Sequence, residues 1–291
     1  MNDVDVIVLD LDGGQNLVDC LDSIAAQSER PRSVIIFDNG SHEPVDNRIG
    51  AGRDGLPITI LRHDRNVGFT GGINRAMAAV SAPYVGWVNN DVVLDEDWLR
   101  SLREALDQDD ALGAVQPIIR GPEQTDGAGI VIGNGRYQQL GHGLPPAEID
   151  CGRAWGVSAT AAMYRSEALR LSAIAEFILH PAFFAWYEDV ELSARLHEHG
   201  WKTETVPRLL AWHRGSSSAS KVAELGERLR VRNRYFVNRL HPGVGRRLSL
   251  LSEDMRRIAR LLFGRELIAA WRTARAVLEG LTVPVLAREP D

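Results

Sequence analysis

Cysteine is scarce in this chain, with only Cys20 and Cys151 among 291 residues. Two isolated thiols exclude a disulfide framework and a thiolate metal cluster, and both are expected to stay reduced. Long apolar runs are missing too: no stretch of about 18 hydrophobic residues is present, so no membrane-spanning helix is expected. The opening Met1-Asn2-Asp3-Val4-Asp5 lacks the basic-then-apolar order of a secretory leader. The expectation is a cytosolic protein. A basic surplus is also lacking, since the formal net charge is −6.

What is present suffices for a full core, with 44% hydrophobic and 25% charged residues. The charge is unevenly spread. From Lys221 onward there are 15 basic and 8 acidic side chains, a surplus of +7, whereas residues 1–220 hold 18 basic and 31 acidic, a balance of −13. An acidic body speaks against nucleic acid as a partner, because phosphate binding needs the opposite sign.

The pattern along the chain alternates strands with helices. Val4 to Leu9, Val34 to Phe37, Ile58 to Leu61 and Tyr84 to Val88 read as buried strands, with helices expected over 15–27, from Ile73 to Val80 and over 96–107. Residues 120–154, rich in glycine and proline, read as a hairpin excursion, Trp155 to Tyr164 as a returning strand, and Glu188 to His199 as a helix stopped by Gly200. Such alternation predicts a mostly parallel central sheet with helices on both faces. In these sheets the ligand lies beyond the carboxyl ends of the strands, where Asp38, Asn66 and Asp91 would converge.

Each motif carries two local readings. Asp38-Asn39-Gly40-Ser41 is either a tight turn or a carboxylate offered to a ligand. Gly71 and Gly72 either permit close backbone approach of a phosphate to a helix start or make room for packing. Asn66 either caps its own turn or reaches the ligand. Asn89-Asn90-Asp91 is either a strand-end turn or a polar site with a single carboxylate. Glu188-Asp189 suits a helix start electrostatically, but the aromatic approach through Phe183, Phe184, Trp186 and Tyr187 would also dry the pair and raise a carboxyl pKa toward that of a general base.

Taken in order, these blocks resemble the inverting family 2 glycosyltransferases of GT-A fold, most closely a rhamnosyltransferase-like branch, over residues 4 to about 240. The matching residues are the Asp38 turn, Asn66-x-Gly68-Phe69-x-Gly71-Gly72-x-Asn74, Asn89-Asn90-Asp91, and Phe183-Phe184-x-x-x-Glu188-Asp189-Val190-Glu191 with Trp212-His213. The resemblance implies a GT-A catalytic domain over residues 1–220 and a helical extension over 221–291. It implies that Asp38, Asn66, Gly71, Gly72, Asn89, Asn90 and Asp91 bind a nucleotide-sugar donor, dTDP-rhamnose or a UDP-sugar. It further implies that Asp91 and His213 hold Mg²⁺ or Mn²⁺, that Asp189 is the base with Glu188 beside it, and that Trp186 and Tyr187 shape a pocket for a glycan or lipid-linked acceptor.

Two departures from the family pattern stand out. Asp10-Leu11-Asp12 replaces the usual Asn-Tyr-Asn, and Asn89 replaces the first carboxylate of the Asp-x-Asp motif, which predicts weaker metal binding. Other readings are a nucleotidyltransferase, against which the acidic Asp10 loop speaks, and a binding module without turnover. The tail is read as helices over Lys221 to Leu240, Arg246 to Phe263 and Arg265 to Leu281. Its basic amphipathic pattern suits either an anionic membrane surface or packing and a homodimer contact.

Overall fold

The computed structural model describes residues 3–49, 55–133, 136–215 and 223–285. Met1, Asn2, Lys221 and Val222 lie outside them. The first half of the chain is built by β1 (Val4–Asp10), α1 (Gln15–Ala25), β2 (Ser33–Asn39), α2 (Val45–Ile49), β3 (Ile58–His63), α3 (Gly68–Ala76), β4 (Tyr84–Asn89), β5 (Val92–Leu94) and α4 (Trp98–Gln108). Then come β6 (Leu112–Arg120), β7 (Thr125–Gly127), the β8 (Ile130–Gly133) and β9 (Arg136–Gln139) hairpin, β10 (Ala161–Arg165), α5 (Ser166–Leu171), α6 (Glu188–Glu198) and β11 (Lys202–His213). Helices α7 (Ala223–Leu240), α8 (Arg247–Phe263) and α9 (Leu267–Thr282) follow.

The central sheet runs β3-β2-β1-β4-β10-β6-β11-β5, with β7 paired to β6. Its β3-β2-β1-β4 half is wholly parallel, and β6 pairs parallel with β11, while β10 and β5 run against their neighbours. Alternation along β1 explains how both faces are covered. Val4, Val6 and Val8 join the cluster under α1 and α4, whereas Ile7 joins the cluster that includes Ile73 of α3 and Leu192 of α6. Strand order reverses at the β1/β4 boundary, so a crevice opens beyond their carboxyl ends.

Two expectations are corrected. Helix α3 begins at Gly68, five positions before the predicted Ile73: the Asn66 side chain accepts the Gly68 N–H (2.8 Å) in the turn that leads into it, and glycines at 68, 71 and 72 hide its apolar periodicity. Gly71 and Gly72 therefore lie inside the helix rather than ahead of it. The predicted strand from Trp155 exists only from Ala161, with Gly156 bridging Ile130 instead. The tail is helical as expected, and Phe236 and Val237 of α7 share a core with Phe183 and with Val190 of α6.

Candidate active site

A cavity of about 590 Å³ lies at the β1/β4 crevice, within the size range of small-molecule sites. Asn89, Asn90 and Asp91 border it from the end of β4, His213 from the end of β11, and Glu188 and Asp189 from the start of α6. Asn66, Gly68, Trp186 and Tyr187 line it as well. Asp38, Gly71 and Gly72 are not among its lining residues.

Asp38 is occupied within the fold. Its carboxylate accepts the N–H groups of Ser41 (2.9 Å) and Val45 (3.2 Å) and the Arg62 guanidinium. Burial would raise its pKa, but these bonds outweigh burial and hold it below the usual carboxylate range. Asn39 lines the cavity in its place, while its own amide accepts the Val67 N–H and donates to Asn66 Oδ1. Gly72 is a packing glycine: a Cβ there would come within 2.3 Å of the Leu9 side chain. The glycine that the site requires is Gly68, at φ 77°. A Cβ on it would lie 2.2 Å from the Phe184 carbonyl oxygen, so only glycine lets α3 meet the aromatic loop.

The extra acids at the carboxyl end of β1 have hydrogen-bond partners within the fold. Asp10, fully buried, accepts from Asn90 Nδ2 (2.7 Å), Gly13 N (3.2 Å), Ser41 Oγ (3.2 Å) and Arg48. Asn90 is thereby fixed by Asp10 at the cavity edge. Asp12 pairs with exposed His42.

Sheet register explains how two distant motifs meet. His213 on β11 is paired opposite Val92 on β5, one residue beyond Asp91, and the ladder extends as Arg214 N donates to Asp91 O (3.0 Å). His213 Nε2 thus sits 3.3 Å from Asp91 Oδ1. On the other side of the ring, Nδ1 is 3.0 Å from Asp126 Oδ2 of β7. Burial opposes protonation of this imidazole, but the two carboxylates prevail and push its pKa up to about 10. Asp126 escaped the sequence reading because nothing local marks it inside the glycine-rich excursion.

The separation of Asp91 Oδ1 and His213 Nε2 is close to the roughly 3 Å between adjacent ligands of an octahedral ion bound at about 2.1 Å. Asp126 at Nδ1 would fix the tautomer that leaves Nε2 free for the ion. The pair therefore fits a divalent cation. Among the described residues no group of three or more His, Cys, Asp or Glu side chains converges on one point, so the remaining ligands would have to come from the bound donor and water.

Glu188 and Asp189 line the same cavity. Glu188 is buried and Asp189 half-buried, and desolvation raises both pKa values. For Glu188 the neighbouring Asp189 charge adds to burial, while for Asp189 backbone hydrogen bonds from Val190 and Ala159 hold the rise back. Asp189 thus ionises more readily than Glu188, whose Oε2 has no hydrogen-bond partner among the described residues. The approach to them is strained: Trp186 and Tyr187 adopt φ of 66° and 71°, a left-handed pair unusual for aromatic residues. Helix α7 restrains this bend. Asn233 Nδ2 donates to the carbonyls of Ala185 and Trp186 (2.8 Å each), and Gly226 leaves room for the Trp186 ring. Arg230 stacks over that ring at 5.1 Å and, with Leu225, lines the cavity. These α7 residues were not legible as site residues, because their partners lie about fifty positions away.

The curled mixed sheet with a crevice at its strand ends has the GT-A fold of glycosyltransferases. The chain belongs to glycosyl transferase family 2, whose model matches residues 6–171. It is 28% identical to the N-acetylglucosaminyl-diphospho-decaprenol L-rhamnosyltransferase of Mycobacterium tuberculosis over 247 residues, covering 74% of this chain and 77% of that protein. The mannosyltransferase PcManGT from Pyrobaculum calidifontis, in complex with GDP-Man and Mn²⁺, is similar in fold, with TM-score 0.61 and 16% identity across 98% of this chain and 76% of that one. S. aureus TarS 1-349 in complex with UDP-GlcNAc gives TM-score 0.57 and 14% identity across 80% of this chain and 66% of that one. A further structure of TarS 1-349 is spanned over 64% of its length.

Proposed function

We propose that this glycosyltransferase moves a sugar from a nucleotide-diphospho-sugar, dTDP-rhamnose before a UDP-sugar, to a hydroxyl of a cell-surface glycan or lipid-linked acceptor, with inversion. One observation carries the reading: one cavity is lined both by Asp91 and His213 and by the Glu188–Asp189 pair. The first is suited to a diphosphate with its cation, the second to a hydroxyl that must lose a proton. The decaprenol-linked rhamnosyltransferase relative supports the choice of donor and acceptor.

Asp189, the more readily ionised member, accepts the acceptor hydroxyl proton as that oxygen bonds to the anomeric carbon. The bond from the anomeric carbon to the diphosphate oxygen breaks, and its electron pair leaves with the nucleoside diphosphate. Glu188 retains a proton and keeps the pair from carrying two charges. Trp186 and Tyr187 exclude water from the attacking oxygen, and Arg230 offers a cation to acidic groups of the acceptor. Mg²⁺ or Mn²⁺ held by Asp91 and His213 would supply positive charge against the leaving diphosphate.

Stereochemistry tests this directly. Products formed from a panel of nucleotide-sugars with a polyprenyl-diphosphate-sugar acceptor are followed by NMR. The expected result is transfer with the anomeric configuration opposite to that of the donor. Retention of configuration, or no transfer from any donor in the panel, contradicts the proposal.

A further inference from the structure

Helices α8 and α9 are apolar on two sides. Their inner faces bury Leu250, Ala276 and Val277 against Val231 and Tyr235 of α7. Their outer faces are not covered by any of the described residues. On α8, Leu248, Met255 and Leu262 recur at helical spacing along an exposed stripe that ends in Phe263, and on α9 Leu267, Trp271 and Leu278 do the same. Phe263 is 90% exposed, Leu248 81% and Trp271 60%. Nine of the thirteen exposed large hydrophobics fall between Leu248 and Val283. An outward apolar surface of this kind marks an interaction site.

Charge identifies what covers it. The nearby acids Glu253, Asp254 and Glu279 are taken by Arg136, Arg234 and Arg228. No ion pair is found for Arg246, Arg247, Arg256, Arg260 or Arg265 among the described residues, and Arg256 bonds only to Ser252 of its own helix. Unpaired arginines therefore flank the stripes, with Glu266 the acid left near them. A second copy of the chain meeting this face in a two-fold contact would set arginine against arginine. An anionic bilayer surface supplies the opposite charge together with an apolar interior for Phe263 and Trp271. No helix among the described residues is long and apolar enough to cross a membrane, so the hairpin would lie in the interface.

We propose that the α8–α9 hairpin is a foot that docks the enzyme on anionic lipid. Because α9 packs along α7, with Gly280 against Arg232 and Tyr235, the foot is joined through one helix to Arg230 at the cavity and to Asn233, which holds the Ala185 and Trp186 carbonyls. Docking would hold the acceptor side of the site beside the bilayer. This surface does not depend on which acceptor is used.

Co-sedimentation of the full chain with vesicles of phosphatidylcholine alone, and with about a third phosphatidylglycerol, tests the docking. Binding to the anionic vesicles, weakened by 0.5 M salt as a screened attraction requires, is the expected result. The double variant Phe263→Ser/Trp271→Ser, altered only at exposed positions, is expected to lose about tenfold or more of that binding while keeping its melting temperature and its affinity for nucleoside diphosphate. Absence of binding by the wild type, equal binding by the double variant, or a wild-type dimer that the double variant abolishes would overturn the proposal. Sugar transfer to a soluble acceptor by the double variant is read separately, so failure of the foot and failure of the proposed activity are distinguishable.

Discussion

Glu188 has a carboxyl oxygen buried without a partner and an acid as its chain neighbour, an arrangement that favours the protonated form. Its native pKa stands above that of the unfolded chain, where a glutamate titrates near about 4.3. Between those two values the folded state binds the proton and the unfolded state has released it, so stability falls as pH rises. Glu188→Gln removes this dependence. Calorimetry without nucleotide is expected to show the variant gaining in melting temperature over wild type as pH is raised from about 4.3 through neutrality. A difference that is constant with pH, or that shrinks, contradicts the buried, protonated state. The acid pair itself was legible in the sequence from its place at a helix start behind four aromatic residues. Asp126 was not, because only the pairing of β7 with β6 brings it to His213.

At the level of elements, the bend before α6 depends on α7. Two consecutive left-handed aromatic residues cost on the order of 1–3 kcal/mol each, and the Asn233 amide holds both carbonyls of the bend. Asn233→Ala is expected to lower unfolding free energy by about 1–3 kcal/mol and to reduce kcat more than it weakens donor binding. Urea titration and steady-state kinetics measure the two effects. Wild-type kcat in a variant destabilised to that extent would make the clamp a stability element alone. Strands β1 to β4 were readable because each is an apolar run ended by polar turn residues. The start of α3 was missed because glycines at 68, 71 and 72 hide a helix whose first turn is set by Asn66, and the 155–160 segment lost its strand pairing to the Gly156–Ile130 bridge.

Across the whole molecule, sequence order conceals a division of labour. The motifs at 89–91 and 213 meet through β5–β11 pairing, and those at 66–68 and 183–189 meet where α3 receives the Phe184 carbonyl. Beyond the expected boundary at residue 220, α7 contributes Leu225 and Arg230 to the cavity lining. The Asp38 carboxylate accepts hydrogen bonds from its own turn and from Arg62. Two ends of one cavity should fail in different ways. Asp91→Ala is expected to weaken metal-dependent binding of nucleoside diphosphate, while Asp189→Asn spares it and lowers kcat by about 10²-fold or more. The most direct measurement is therefore turnover of Asp189→Asn alongside calorimetric donor binding to the same preparation. Unchanged donor affinity with that loss of kcat is expected. Wild-type turnover in this variant would contradict the assignment of Asp189 as the base.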